Sequence, residues 1–303
     1  MKASVIAFTE KGCKLGRRIS EELEGKFSPG TGADKVSLSG WIEDSWKNSD
    51  LLVFVSSTGI AVRTIAPYIV HKAKDPGVIV IDDNAKHCIS LLSGHIGRAN
   101  EYTDIISRLT GADAVITTAT DVNGVFSIDS WATENEMIII NTERIKDISK
   151  RSLNGECIDI EKEALISIYK EKTDKLILVP RVLSVGIGCR RNTEPEALSS
   201  FYFETFENLN IYPEAVKSIS TIDLKKNEEA ILKLVEANKL RLNIYTADEL
   251  NELEGEFSGS EFVRKTVGTD SVCERSAVLG NSGKLLLKKT SKDGMTIAIA
   301  IKE

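Results

Sequence analysis

The sequence predicts an α/β protein of two or three domains, with mainly parallel sheets flanked by helices and a C-terminal domain ending in a β-hairpin. Three observations carry this reading. The apolar runs Lys2–Phe8, Leu51–Val55 and Val78–Ile81 are nearly continuous and do not alternate, as in strands buried on both faces. Helical stripes separate such runs: Leu15, Ile19 and Leu23 recur at spacings of four within Lys14–Leu23. Near the other end, Asp293–Gly294 lies between the runs Leu285–Lys289 and Met295–Ile301, a hairpin signal. A length of 303 residues suits two or three domains of about 100–200 residues.

In chain order, Lys2–Phe8 is a strand, Lys14–Leu23 a helix, and Leu51–Val55 and Val78–Ile81 are strands. Ala99–Leu109 is a helix, Ala114–Ile116 a strand, and Asn123–Gly124 a turn that closes an N-terminal domain over residues 1–124. A middle segment, 125–178, holds a helix at Ser130–Glu136, a strand at Met137–Ile140, a helix at Glu143–Leu153 ended by Asn154–Gly155, and a charged helix or connector at Glu161–Asp174. The C-terminal domain, 179–303, opens with the strand core Leu183–Val185. Thr193-Glu194-Pro195-Glu196 has the form of a capping box with proline inside the helix start, so a helix should run to about Glu207. Strands at Val216–Ile222 and Leu242–Tyr245 enclose a helix at Glu228–Ala237, and Ser271–Leu279 is a helix before the hairpin.

Composition bounds the function. Hydrophobic residues are 42% and charged residues 28%, and no apolar run approaches the ~20 residues that span a bilayer. With 39 basic and 45 acidic residues the net charge is −6, which gives no support to nucleic-acid binding, since that rests on phosphate neutralisation. Cys13, Cys88, Cys157, Cys189 and Cys273 are odd in number and widely spaced, and Met1–Phe8 is too short for a secretory signal; the expectation is a reduced, cytoplasmic protein. His71, His87 and His95 lack metal-type spacing, so no protein metal site is expected.

Four clusters could carry chemistry. Ser56-Ser57-Thr58-Gly59-Ile60-Ala61-Val62-Arg63 follows a strand and opens a helix; Thr58 and Gly59 could bring N–H groups to an anion, with Arg63 one turn on as a fork donor. The plain alternative is a tight βα turn. In Ser93-Gly94-His95-Ile96-Gly97, glycines bracket a histidine before a helix, where imidazole could transfer a proton, with Ser93, Arg98 and Asn100 adding polar atoms. The alternative is a histidine bonded to a carbonyl. Thr117-Thr118-Ala119-Thr120-Asp121 also follows a strand, so it should share an edge with the first cluster. There Thr117 and Thr118 could bind oxygens and Asp121 could orient a histidine or a water. Turn and cap roles compete here as well.

The fourth cluster, Gly186-Ile187-Gly188-Cys189-Arg190-Arg191, is no dinucleotide fingerprint, because Arg191 occupies the position of the last glycine. Cys189 lies before a helix start beside two arginines, which would lower a thiol pKa; a catalytic thiolate and a small residue in a close-packed turn both remain open. Ser220 and Lys225, with Asp223 and Glu228, end the next strand. The two stretches should form one anion-binding edge, closing over a ligand from the far side by binding and not by covalent catalysis. Glu274 lies where a carboxylate favours a helix dipole.

Taken together, Thr58–Arg63, Lys74-Asp75-Pro76, Leu91-Leu92-Ser93-Gly94-His95 and Thr117–Asp121 resemble the CbiG family of cobalamin biosynthesis. Gly186–Arg191, Ser220–Glu228 and Val272-Cys273-Glu274 are similar to that family's C-terminal domain, which the CobE proteins share. One departure is Arg98, where the resemblance leads to a second glycine after Gly97. The resemblance implies cobalt-precorrin-5A hydrolase activity: water opens a δ-lactone between C20 and a ring A acetate of a cobalt corrinoid, and acetaldehyde leaves to give cobalt-precorrin-5B. It implies no organic cofactor, since the cobalt belongs to the substrate. The partners expected are that substrate and neighbouring corrin-pathway enzymes, with neither nucleic acid nor membrane. A substrate fringed with carboxylates suits arginines, hydroxyls and helix starts, in a cleft of the kind two α/β domains can form. Competing readings are a non-catalytic corrinoid carrier and an unrelated nucleotide-binding α/β protein.

Overall fold

The structure is a computed structural model and describes residues 1–259, 268, 269 and 271–302. The chain divides into two compact units. One joins Met1–Asn135 to Asn141–Glu163; the other joins Glu136–Ile140 to the chain from Ala164 onward, so residues 125–178 are shared between them.

The first unit runs β1 (Ala3–Ala7), α1 (Glu10–Glu22), β2 (Lys26–Pro29), α2 (Leu38–Asn48), β3 (Leu51–Val55), α3 (Thr58–Ile65), β4 (Gly77–Ile81), β5 (His87–Leu92), α4 (Ala99–Thr110) and β6 (Asp113–Val115). Four short helices follow: α5 (Ala119–Val122), α6 (Ile128–Glu134), α7 (Ile145–Leu153) and α8 (Ile160–Glu163). The sheet order is β2-β1-β3-β4-β5-β6. β1, β3 and β4 are buried along their whole length, as their unalternating apolar sequences require. Val5, Val53, Ile79, Ile19 and Ile106 pack on one face; Ile6, Phe54, Val80, Trp41 and Ile65 pack on the other. Each such side chain contributes roughly 1.5–3 kcal/mol by leaving water.

Strand direction changes within this sheet. β3 and β4 are parallel, with Leu51 opposite Gly77 and Val55 opposite Ile81. β5 is antiparallel to β4, with Ile81 opposite Cys88 and Val78 opposite Leu92, and β6 follows β5 in parallel. The reversal is held by Asp82, whose carboxylate accepts the N–H groups of Asn84 (2.9 Å), Lys86 (3.0 Å) and His87 (2.7 Å). The ends of β5 and β6 therefore lie at the edge where β1, β3 and β4 begin. This overturns the expectation that Thr117–Asp121 shares an edge with Ser56–Arg63, which follows β3 at the opposite edge. The sequence reading lacked β5, and with it the reversal.

The second unit contains β7 (Met137–Ile139), β8 (Ala164–Ile166), β9 (Leu176–Pro180), β10 (Leu183–Gly188), α9 (Pro195–Asn208), β11 (Val216–Ile222), α10 (Glu229–Ala237), β12 (Arg241–Tyr245), α11 (Ala247–Asn251), α12 (Val272–Asn281), β13 (Lys284–Lys292) and β14 (Met295–Ile301). Its sheets have the orders β7-β9-β8 and β12-β11-β10-β14-β13. β10, β11 and β12 are parallel; β14 is antiparallel to β10 and pairs with β13 as the expected hairpin. Phe201, Tyr202, Phe206, Ile231 and Leu234 of α9 and α10 fill one face. On the other, Cys273 and Ala277 of α12 pack on Ala298 and Ala300. This helix lies close to the sheet because the facing residues are small: a Cβ on Gly186 would fall 1.7 Å from the Cys273 carbonyl oxygen. The capping box expected at Thr193 is absent. Glu194 is the N-cap, and the Thr193 hydroxyl instead donates to the Arg190 carbonyl (2.8 Å), closing the preceding turn. Among the described residues, no helix is long and apolar enough to cross a membrane.

Candidate functional site

The chemistry-bearing groups of the first unit converge where β5 ends. The chain leaves Leu92 through Ser93 and Arg98, both in left-handed backbone (φ 56° and 58°). Left-handed backbone at Arg98 explains why a glycine is expected there: a side chain at that φ costs roughly 1–2 kcal/mol. Gly97 lies against the start of β4; a Cβ on it would fall 2.8 Å from the Gly77 nitrogen and 2.6 Å from the Ser93 Cβ. The first N–H groups of α4 are already taken, since Ala99 donates to the Ser93 carbonyl (3.3 Å) and Asn100 to the Gly94 carbonyl (3.0 Å). That helix start is thus closed by its own loop and is no open anion cradle.

His95 projects from this loop between two carboxylates. Its Nε2 is 2.7 Å from Asp121 Oδ2 and its Nδ1 is 3.1 Å from Asp129 Oδ1. The side chains of His95 and Asp129 are 10% and 5% exposed, against 37% for Asp121, so Asp121 is the outermost member. Asn100 fixes Asp121 from behind: its amide donates to Asp121 Oδ2 (3.0 Å) and Thr118 Oγ1 (3.2 Å), and its carbonyl accepts from Ser90 Oγ (2.6 Å). Gly94 packs on that amide, where a Cβ would fall 2.6 Å from Asn100 Oδ1. Asp121 Oδ1 has no hydrogen-bond partner among the described residues, and its side chain is partly exposed.

Electrostatics favour the charged forms. Burial opposes the imidazolium, but the hydrogen bond and charge of Asp129, then those of Asp121, outweigh it and raise the His95 pKa. Burial likewise opposes the Asp129 carboxylate, yet His95, the Ser127 hydroxyl and Lys72 hold its pKa well below the usual range. Ser127 donates to Asp129 Oδ1 (2.6 Å) and Lys72 Nζ is 3.6 Å from Asp129 Oδ2.

Sequence reasoning missed Asp129, Ser127 and Lys72. Ser127 is the N-cap of α6, and its hydroxyl accepts from Ser130 N. The stretch Ser127–Ser130 therefore looks like an ordinary helix start, and the only signal for more was a carboxylate two residues past a capping serine. Of the predicted residues, His95, Asp121, Gly94, Gly97 and Thr118 are brought together. Ser93 has a buried hydroxyl without a partner among the described residues, and Thr117 is exposed. Thr58, Gly59 and Arg63 lie at the opposite sheet edge, with the exposed Arg63 guanidinium folded back to within 3.2 Å of a Cβ placed on Gly59.

In the second unit, parallel pairing does bring Gly186–Arg191 and Ser220–Lys225 to one edge. Their side chains do different work from that expected. Ser220 is fully buried; its hydroxyl meets Ser184 Oγ (3.2 Å) and Asn243 Nδ2 (3.4 Å) beneath α12. Gly186 admits α12, and the Gly188 carbonyl accepts from Thr296 Oγ1 (3.3 Å). Lys225 is paired with Glu228 (3.0 Å), whose other oxygen accepts Asn192 N (2.8 Å). Burial pushes the Cys189 thiol pKa up, with Lys225 and Glu228 pulling in opposite directions; this corrects the lowered thiol pKa expected from its two arginines. Those arginines point elsewhere: Arg190 lies over Gly294 of the hairpin turn and Arg191 is exposed. Glu274, fully buried, accepts Ser258 N (2.5 Å) and Lys289 N (2.7 Å), which is a structural staple beyond any dipole effect.

Two family models match the chain: "Cobalamin synthesis G N-terminal" over residues 40–121 and "Cobalamin synthesis G C-terminus" over 183–300. A protein named cobalt-precorrin-5A hydrolase from Salmonella typhimurium is 35% identical over 285 residues, covering 82% of this chain and 81% of that one. A protein named probable cobalt-precorrin-5A hydrolase from Methanocaldococcus jannaschii is 30% identical, covering 99% of each. One named cobalt-precorrin-5A hydrolase from Priestia megaterium is 28% identical, covering 98% and 94%. The chain belongs to the CbiG family.

The match to the CbiG N-terminal model ends at Asp121, so it takes in His95, Asn100 and Asp121 but not Asp129. The arrangement can hold a proton on a buried imidazole and exchange one at a partly exposed carboxylate. Among the described residues, no group of three or more imidazole, thiol or carboxylate side chains is arranged to hold a metal ion.

Proposed function

We propose that the chain is a cobalt-precorrin-5A hydrolase, in which the His95–Asp121 pair serves the proton transfer of lactone opening. The observation that carries the activity is similarity to relatives so named along most or all of the chain. The His95–Asp121 pair supplies what the chemistry needs. As water bonds to the lactone carbonyl carbon, a proton must leave it; as the acyl C–O bond breaks, one must reach the departing oxygen. Asp121 Oδ1 is the acceptor in this reading, and His95 Nε2 lies 2.7 Å from Asp121 Oδ2. The freed alcohol then gives up its O–H proton as the C–C bond to the macrocycle breaks: the two-carbon unit leaves as acetaldehyde, and the macrocycle keeps the electron pair and takes up a proton. No organic cofactor takes part, and the cobalt arrives within the substrate.

Purified protein incubated with cobalt-precorrin-5A should release acetaldehyde, and His95→Ala should slow that release by about 10²–10⁴-fold. If the wild type binds the substrate but releases none, the hydrolase reading is wrong. A His95→Ala protein with wild-type turnover would remove the proton-transfer assignment alone.

A further inference from the structure

His95 has a carboxylate at hydrogen-bond distance from each ring nitrogen. A neutral imidazole carries one N–H and would turn a lone pair toward one of the two carboxylates; only the imidazolium donates to both. The two sides are unequal. Asp121 is the outer, more exposed carboxylate and keeps one oxygen unpartnered, whereas Asp129 is buried, with Ser127 Oγ at 2.6 Å on one oxygen and Lys72 Nζ at 3.6 Å from the other. Asp129 is thus fixed in place independently of His95, and it comes from α6, beyond the residues matched by the N-terminal family model.

Resting on the hydrolase reading, we propose that Asp129 is a positioning residue that fixes His95 as an imidazolium with Nε2–H directed at Asp121, leaving Asp121 as the group that meets water and substrate. In this arrangement His95 does not itself accept the proton of water, because neither nitrogen has a free lone pair. The water proton goes to Asp121 Oδ1 as the water oxygen bonds to the carbonyl carbon. The same carboxyl returns it to the oxygen freed when the acyl C–O bond breaks. His95 keeps its proton throughout, and its charge lies behind Asp121 at each stage. Asp129 balances that charge from the inner side and sets the ring plane. The charged groups around the ring are Asp121 from α5 and Asp129 from α6, with Lys72 beyond Asp129; Arg98, at the head of α4, is paired with Glu101 (2.6 Å).

The test is the titration of His95, followed by NMR of the ring nitrogens in the substrate-free full chain, alongside the pH profile of acetaldehyde release. Asp129→Asn retains the shape and a hydrogen-bond acceptor but loses the charge. It should lower the His95 midpoint by about one pH unit or more and reduce kcat by about 10-fold or more, with KM within about twofold. The high-pH limb of the profile should move down with it. Lys72→Met removes a cation behind Asp129 and should move the His95 midpoint the other way, by a few tenths of a pH unit given the exposure of Lys72. A purely structural Asp129 would give a lower unfolding midpoint with the His95 titration and the pH profile unmoved, and that result overturns the proposal. So does a neutral His95 in the wild type at pH 6. The NMR readout needs no substrate, so failure of the hydrolase reading, seen as absent acetaldehyde from wild type, is separable from failure of the positioning role.

Discussion

Alanine at Gly186 should destabilise the protein strongly while leaving its site chemistry intact. The added Cβ would lie 1.7 Å from the Cys273 carbonyl oxygen, 2.7 Å from its carbon and 2.8 Å from the Ala277 nitrogen. All three are backbone atoms, so no rotamer change relieves the overlap. A carbon–oxygen contact needs about 3.3 Å, so α12 must move away by about 1.5 Å. That shift opens the Cys273–Ala277 face against Ala298 and Ala300 and stretches the Glu274 hydrogen bonds to Ser258 and Lys289. Overpacking alone costs about 1–3 kcal/mol, and each hydrogen bond to a charged group is worth roughly 1.5–3 kcal/mol. A loss of about 3 kcal/mol lowers the melting temperature by roughly 6–12 °C, at about 2–4 °C per kcal/mol. Gly188→Ala is the control, since its Cβ would meet only the Thr296 hydroxyl, at 2.6 Å, which can rotate away. Calorimetry of the full chain reads both. An unchanged melting temperature in Gly186→Ala together with weakened corrinoid binding would refute the packing argument and return Gly186 to a ligand-contact role.

Two further outcomes follow from the first unit. The raised His95 pKa gives stability that is fully present below the usual 6.5 and is lost as pH rises through the folded value. The lowered Asp129 pKa gives stability present above the usual 3.8 and lost as pH falls through its folded value. The excess stability of wild type over His95→Asn, from urea midpoints, should therefore peak between about pH 4 and 6.5 and shrink toward pH 9; a difference flat with pH would show that the ion pairs contribute nothing. Arg63 and His95 stand at opposite ends of strands of five residues, roughly 13 Å long. A double-mutant cycle of Arg63→Lys and His95→Ala on kcat/KM should show coupling below about 0.5 kcal/mol, and a larger value would place both at one contact.

Much of the fold was legible because burial leaves a strong mark. Leu51–Val55 is read with the right bounds because a fully buried strand is apolar without interruption, and Met295–Ile301 because it is buried along most of its length. Lys26–Pro29 and His87–Leu92 were missed for the opposite reason: β2 is an edge strand and β5 is only partly buried, so each mixes polar and apolar residues. Gly186 and Ser220 read as part of a ligand-binding edge, and in the structure they pack against α12, because small residues at a strand end serve two purposes in sequence. They let a ligand approach, or they let a helix approach, and only the position of α12 distinguishes the two.

The missed strand decided how the site was understood. Reading β4 and the strand before Thr117 as parallel neighbours put Thr117–Asp121 on one edge with Ser56–Arg63. A single antiparallel step, set by the carboxylate of Asp82 in the turn before β5, sends the chain back and carries everything after Leu92 to the other edge. The same reversal brings α5 and α6 over the loop that holds His95, which is how Asp121 and Asp129, eight positions apart along the chain, reach opposite nitrogens of one ring. Asp121 was readable because it ends a Thr-rich stretch after a strand. Asp129 was hidden in a sequence that satisfies the rules for a helix start, where an early carboxylate is favoured anyway. Only its burial beside a histidine and a lysine separates it from an ordinary cap, and burial of a charge is tolerated where opposite charges are in place to receive it.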